Sequence, residues 1–118
     1  MTTTLYGISN CDTVKKARAW LAAHDMAHRF HDFRKDGVPQ PQLDEWLQAF
    51  GWEQVVNRRG TTWRKLDAAL QASVQDADTA RNFLLAHPSA IKRPVVEWPD
   101  GARTLGFSPD DWMLHARQ

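Results

Sequence analysis

Three observations predict an α/β fold with a four-stranded mixed sheet for this chain of 118 residues. The chain opens as strand, helix, strand, and a helix joining two strands marks a parallel pair. Near the other end, two strand-like runs flank Pro99-Asp100-Gly101, the turn chemistry of an antiparallel hairpin. The stretch between these blocks reads as several helices, so it is expected as an insertion, from about residue 38 to residue 88.

Leu5 to Ile8 is a short apolar run after three threonines and predicts the first strand. Ser9 and Asn10 are capping residue types. From Cys11 onward Val14, Ala17, Leu21 and His24 fall on one helical face. Ala27 to Phe33 predicts the second strand, with Phe30 and Asp32 on one side and Arg29, His31 and Phe33 on the other. Lys35 to Pro39 is a loop, and Pro39 and Pro41 stand where a helix begins. Leu43, Trp46, Leu47 and Phe50 give that helix an apolar face, which Gly51 ends. Val55 to Gly60 is polar, basic and irregular, after which Thr61 or Thr62 caps a short helix over Trp63 to Leu66. Asp76 or Asp78 opens a helix that buries Ala80, Phe83 and Leu84, and Pro88 stops it. Pro94 to Trp98 and Ala102 to Leu105 form the hairpin. The final helix has Ser108 as cap, Pro109 as first residue, and Phe107 and Trp112 placed as a hydrophobic staple. Without the insertion the order is β-α-β followed by β-β-α. That is the thioredoxin arrangement, here a single domain over 1–118.

Composition narrows the function classes. A hydrophobic fraction of 42% and a charged fraction of 25% are those of a soluble globular protein. No apolar run approaches the roughly 18 residues of a membrane span. A net charge of +1 is too balanced for a dedicated nucleic-acid binder. The single cysteine, Cys11, excludes an internal disulfide and points to a reducing compartment. Met1 to Tyr6 lacks the zones of a secretory signal, so a cytoplasmic protein is expected. No metal site is expected, because His24 lies late in a helix while His28 and His31 fall on opposite faces of a strand. Of the six tryptophans, Trp46 and Trp112 have core or staple positions, while Trp98, beside a turn, is a candidate for a ligand or partner surface.

Cys11 carries the chemistry. A cysteine that opens a helix sits at the positive end of the macrodipole, among free N–H groups that stabilise a thiolate. Its pKa is therefore expected below the free value of about 8.5. Lys15 and Lys16 add positive potential, and Asp12 opposes them. Val14 stands where a Cys-x-x-Cys motif has its second thiol. A disulfide formed on Cys11 must then be resolved by an external thiol such as glutathione. Arg58, Arg59, Arg64 and the Lys92-Arg93 pair are candidates for holding an anion, since guanidinium binds oxyanions in a bidentate way. Arg93 ranks first, because it precedes a strand expected beside the one leading into Cys11.

Four blocks carry a resemblance: Tyr6 to Ala17, Asn57 to Leu66, His87-Pro88 with Ile91 to Val96, and Leu105 to Ser108. Together they resemble the ArsC/Spx superfamily over essentially the whole chain, most nearly the small bacterial YffB-type ArsC-like proteins. The resemblance implies a thioredoxin-like fold, Cys11 as the active thiol, and Arg93 as the arginine before the Pro-Val-Val run that holds an oxyanion. It implies a cis peptide bond before Pro94. The other two oxyanion arginines of glutaredoxin-linked arsenate reductases fall at Asn57 and Gly106, which implies weak arsenate reduction. The implied activity is that of a glutathione-dependent monothiol oxidoreductase acting on a disulfide or oxidised substrate. Cys11 and Arg93 are its catalytic residues, and Asn10, Lys15, Arg59 and Pro94 bind substrate. No bound cofactor is implied; glutathione is the co-substrate, or glutaredoxin the partner. Two alternatives remain open: an arsenate reductase, and an Spx-like regulator that binds RNA polymerase. Typical Spx switches carry Cys-x-x-Cys, which this chain lacks.

Overall fold

The structure is a computed structural model and describes residues 2–116. In chain order its elements are β1 (Thr3–Gly7), α1 (Asp12–Ala23), β2 (His28–Asp32), α2 (Gln40–Phe50), α3 (Trp52–Val55), α4 (Thr61–Arg64), α5 (Ala68–Ser73), α6 (Ala77–Ala86), a 3-10 turn (Pro88–Ala90), β3 (Val95–Glu97), β4 (Arg103–Leu105) and α7 (Pro109–Ala116). They form two compact units: one from the chain up to Asp36 and from Arg93 onward, the other Gly37–Lys92.

The first unit holds the mixed four-stranded sheet, in the order β2-β1-β3-β4. β1 and β2 run parallel with Leu5 opposite Phe30. β3 runs antiparallel to β1, with Leu5 opposite Val96 and Tyr6 opposite Val95, and β4 closes the hairpin. The fold is thioredoxin-like. One sheet face packs Leu5 and Val96 against Val14, Ala17 and Leu21 of α1 and Trp112 of α7, all fully buried. Burial of a valine or leucine side chain among them stabilises the fold by roughly 1.5–3 kcal/mol. Trp112 is enclosed by Trp20, Trp98 and Phe107, whose rings approach it edge-on at 5.5, 5.0 and 4.8 Å. The Phe107 contact is the expected staple, and Trp112 N–H closes the first turn of α7 onto Ser108 O at 2.9 Å.

Several sequence expectations shift in this unit. β1 starts at Thr3, two residues before the apolar run, because β-branched threonine suits a strand and Thr3 pairs with His28. Neither Ser9 nor Asn10 caps α1. Cys11 itself is the N-cap residue, and its N–H closes a turn onto Ile8 O at 3.2 Å. His24 is not on the buried face: it is the exposed C-cap residue, with its ring stacked on Trp20 at 3.8 Å. Trp98 is no surface residue. It is 3% exposed, and its indole N–H donates to Thr104 Oγ1 at 3.0 Å.

The second unit is helical. α2 buries Leu43, Trp46 and Leu47, and Gly51, at φ 85°, turns the chain into α3. Where the sequence reads as irregular, Val56 forms an isolated bridge with Ile91, flanked by Asn57 N–H to Ala90 O and Lys92 N–H to Val55 O, both 2.8 Å. Gly60, and neither threonine, is the N-cap residue of α4; Thr62 Oγ1 instead bonds Ser89 Oγ at 2.8 Å. α5 is an addition to the expected list, capped by Asp67, which accepts from Leu70 N–H at 2.8 Å. Asp76 opens α6 through a capping box with Thr79, and Ala80, Phe83 and Leu84 are buried. Arg81 of α6 reaches α2 through Asp44 Oδ1 at 2.6 Å and Gln40 Oε1 at 3.0 Å.

Candidate active site

The ends of β1 and β3 bring Cys11 and Arg93 of the sheet unit together. β1 ends at Gly7, whose missing side chain admits α1: a β-carbon there meets Val14 Cγ2 at 2.7 Å. This close approach seats the first turn of α1 against the strand end. The Ile8–Cys11 turn then leaves Cys11 in extended backbone geometry, φ −91° and ψ 125°, ahead of the helix. β3 arrives from the opposite direction. Its Val95 pairs with Tyr6, so Pro94 and Arg93 continue alongside the end of β1. The Arg93–Pro94 bond is cis, and Pro94 O accepts from Gly106 N–H at 2.8 Å.

The half-buried Cys11 sulfur feels opposing effects. Burial is the largest and pushes its pKa up. The nearby N–H groups of Val14 and Thr13 and the Arg93 guanidinium, with its charge, outweigh it and hold the thiol below its ordinary value. Val14 and Thr13 supply the free N–H groups of the helix N-terminus. The cation at the sulfur is Arg93; Lys15 projects from the exposed side of α1, and Asn10 is exposed in the turn. Such an arrangement favours the thiolate form of Cys11 and sets a guanidinium beside it.

Arg59 belongs to the helical unit. Its N–H donates to Asn57 Oδ1 at 3.3 Å, and with Glu53, Asn57, Arg58 and Lys92 it lines a polar cleft of about 260 Å³. Arg58 there pairs with Glu53 at 3.9 Å and lies over the Trp52 ring. Gly106, at φ 86°, contributes only backbone beside Pro94. His28 accepts from Arg18 Nε at 3.2 Å, and His31 packs on the Tyr6 ring. Among the described residues no group of three or more His, Cys, Asp or Glu side chains is placed to hold a metal ion.

Sequence reasoning overlooked Asp32. Strand alternation placed it beside Phe30 without assigning it a role. It is 4% exposed and receives donors from two loops. A carboxylate at a buried strand position was the available signal, since buried charge demands partners.

A four-stranded mixed sheet with a lone cysteine heading its first helix, faced by an arginine before a cis proline, defines a thioredoxin-like protein of the single-thiol type. The model of the ArsC family matches residues 6–114, and the chain belongs to that family. A solved YffB protein superposes with a TM-score of 0.91 at 46% identity, over 98% of this chain and 99% of its own. An arsenate reductase (ArsC) related protein from Brucella melitensis superposes with a TM-score of 0.76 at 45% identity, over 100% and 97%. The global transcriptional regulator Spx of Streptococcus mutans is 27% identical over 111 residues, 92% of this chain and 78% of its own. No helix among the described residues is long and apolar enough to cross a membrane.

Proposed function

We propose that this protein is a cytoplasmic monothiol oxidoreductase that uses glutathione as its reductant. The observation that carries the reading is Cys11 at the N-terminus of α1, with the Arg93 guanidinium and the first N–H groups of the helix holding its pKa below the ordinary thiol value. The Cys11 thiolate attacks one sulfur of a substrate disulfide, forming a mixed disulfide and expelling the other sulfur as a thiolate. A glutathione thiolate attacks the Cys11 sulfur and releases the second substrate thiol. A second glutathione then attacks the glutathionyl sulfur, returning the Cys11 thiolate and forming oxidised glutathione. Two glutathiones thus supply the two electrons that reduce one disulfide. Arg93 binds a carboxylate of substrate or glutathione while its charge favours the attacking thiolate. Asn10, Lys15 and Pro94 are the further substrate-binding residues of this reading.

Glutathione-coupled reduction of a small disulfide by the purified protein tests it. Cys11→Ser abolishes turnover. Arg93→Ala lowers it by about 10- to 100-fold, the equivalent of one charge-assisted hydrogen bond. Undiminished turnover in Cys11→Ser overturns the proposal. The likeness to Spx favours a second reading, a regulator that binds RNA polymerase. Capture of purified RNA polymerase by a protein without thiol turnover supports that reading instead.

A further inference from the structure

We propose that Asp32 is a positioning residue for the Cys11 thiol, holding the Ile8–Cys11 turn so that the sulfur sits over the first N–H groups of α1. The inference rests on the reading of Cys11 as the active thiol. Asp32 ends β2, parallel to and paired with the strand that leads into the turn. Its carboxylate accepts from Arg34 N–H at 2.9 Å, and it lines one cavity with Ser9 and Lys35, whose N–H groups, with the Ser9 hydroxyl, help hold it below the usual carboxylate range. Its own N–H donates to Asp36 Oδ2 at 3.0 Å, and its carbonyl accepts from Asp36 N–H at 2.7 Å. One side chain therefore ties the loop after β1 to the loop after β2. Ser9 lies inside the turn that Cys11 N–H closes onto Ile8 O, so a carboxylate that holds Ser9 holds the turn.

The chemistry requires a carboxylate. Donors of Ser9, Arg34 and Lys35 face a group with about four acceptor sites and no hydrogen of its own. Asparagine puts an NH2 group against one of those donors and forfeits that bond. Arg18, Arg34, Lys35 and Asp36 are the charged side chains around the same cleft, while Arg93 is the cation at the sulfur. The charge of Asp32 by itself disfavours a second negative charge nearby. An effect through geometry has the opposite sign, and the sign makes the proposal decidable.

The experiment measures the rate of Cys11 alkylation by iodoacetamide against pH in the wild type, Asp32→Asn and Ser9→Ala, with thermal unfolding in parallel. The proposal expects both variants to move the midpoint upward and to lower the thiolate fraction at neutral pH. The loss is about 2- to 10-fold in Asp32→Asn, the equivalent of weakening one hydrogen bond to the sulfur, and smaller in Ser9→Ala. A lower melting temperature with an unchanged midpoint makes Asp32 merely structural and overturns the proposal. A downward shift makes it a charge acting directly and overturns it too. Should Asp32→Asn not fold, the direction of the Ser9→Ala shift decides alone. The readout needs no glutathione turnover, so a failed oxidoreductase assay and a failed Asp32 proposal are separate results.

Discussion

At the scale of single residues, packing and hydrogen bonding decide what each position tolerates. Gly7 and Gly60 both crowd a β-carbon to 2.7 Å, Gly7 against Val14 Cγ2 and Gly60 against Asn57 Nδ2. The Val14 methyl belongs to a fully buried side chain, whereas the Asn57 amide is the far end of a movable one. Gly7→Ala is therefore expected to cost about 1–3 kcal/mol through overpacking, and Gly60→Ala much less, as urea unfolding of the two variants shows. Equal costs contradict the assignment of Gly7 to the strand–helix approach. Cys11 was legible in the sequence because a lone cysteine stood where a helix began, and Arg93 because it preceded a strand. The convergence of Ser9, Arg34 and Lys35 on Asp32 was not legible. Periodicity reports which face a residue occupies, and carries no record of which distant loop its side chain meets.

At the scale of elements, legibility followed the apolar stripe. α2 and α6 bury three residues each at helical spacing, and both were readable, with Asp76 one of the two expected starts of α6. α5 buries none, so no stripe marked it; its capping aspartate was the one local sign. α3 is four residues long, too short for a period to show. A helix without a buried face depends on its cap more than a packed one does. Asp67→Ala is accordingly expected to speed amide hydrogen exchange in Ala68–Ser73, with a stability loss of about 1 kcal/mol. Exchange that changes equally in α6 contradicts a local role for that cap.

At the scale of the molecule, the sheet is assembled from both ends of the chain, and this order was readable from β-α-β and β-β-α. The helical unit runs from Gly37 to Lys92, past the expected end near 88. The Val56–Ile91 bridge and the Lys92 N–H bond to Val55 O account for the difference, since a two-residue pairing leaves no pattern in sequence. The distribution of arginines along the fold also sets the chemistry. The resemblance to arsenate reductases implies two further oxyanion arginines where this sequence has Asn57 and Gly106, and the cation at the Cys11 sulfur is Arg93. Each missing donor to a developing anion costs about 10²–10³ in rate. Glutaredoxin-coupled arsenate turnover is thus expected near background, and robust turnover contradicts this assignment of roles. Arg93 and the N-terminus of α1 together favour the Cys11 thiolate. The most direct measurement is the pH dependence of Cys11 alkylation, in the folded chain and again in urea. The account predicts a folded midpoint below the ordinary thiol value of about 8.5 that climbs toward it on unfolding. A folded midpoint at or above that value, unmoved by urea, would contradict it.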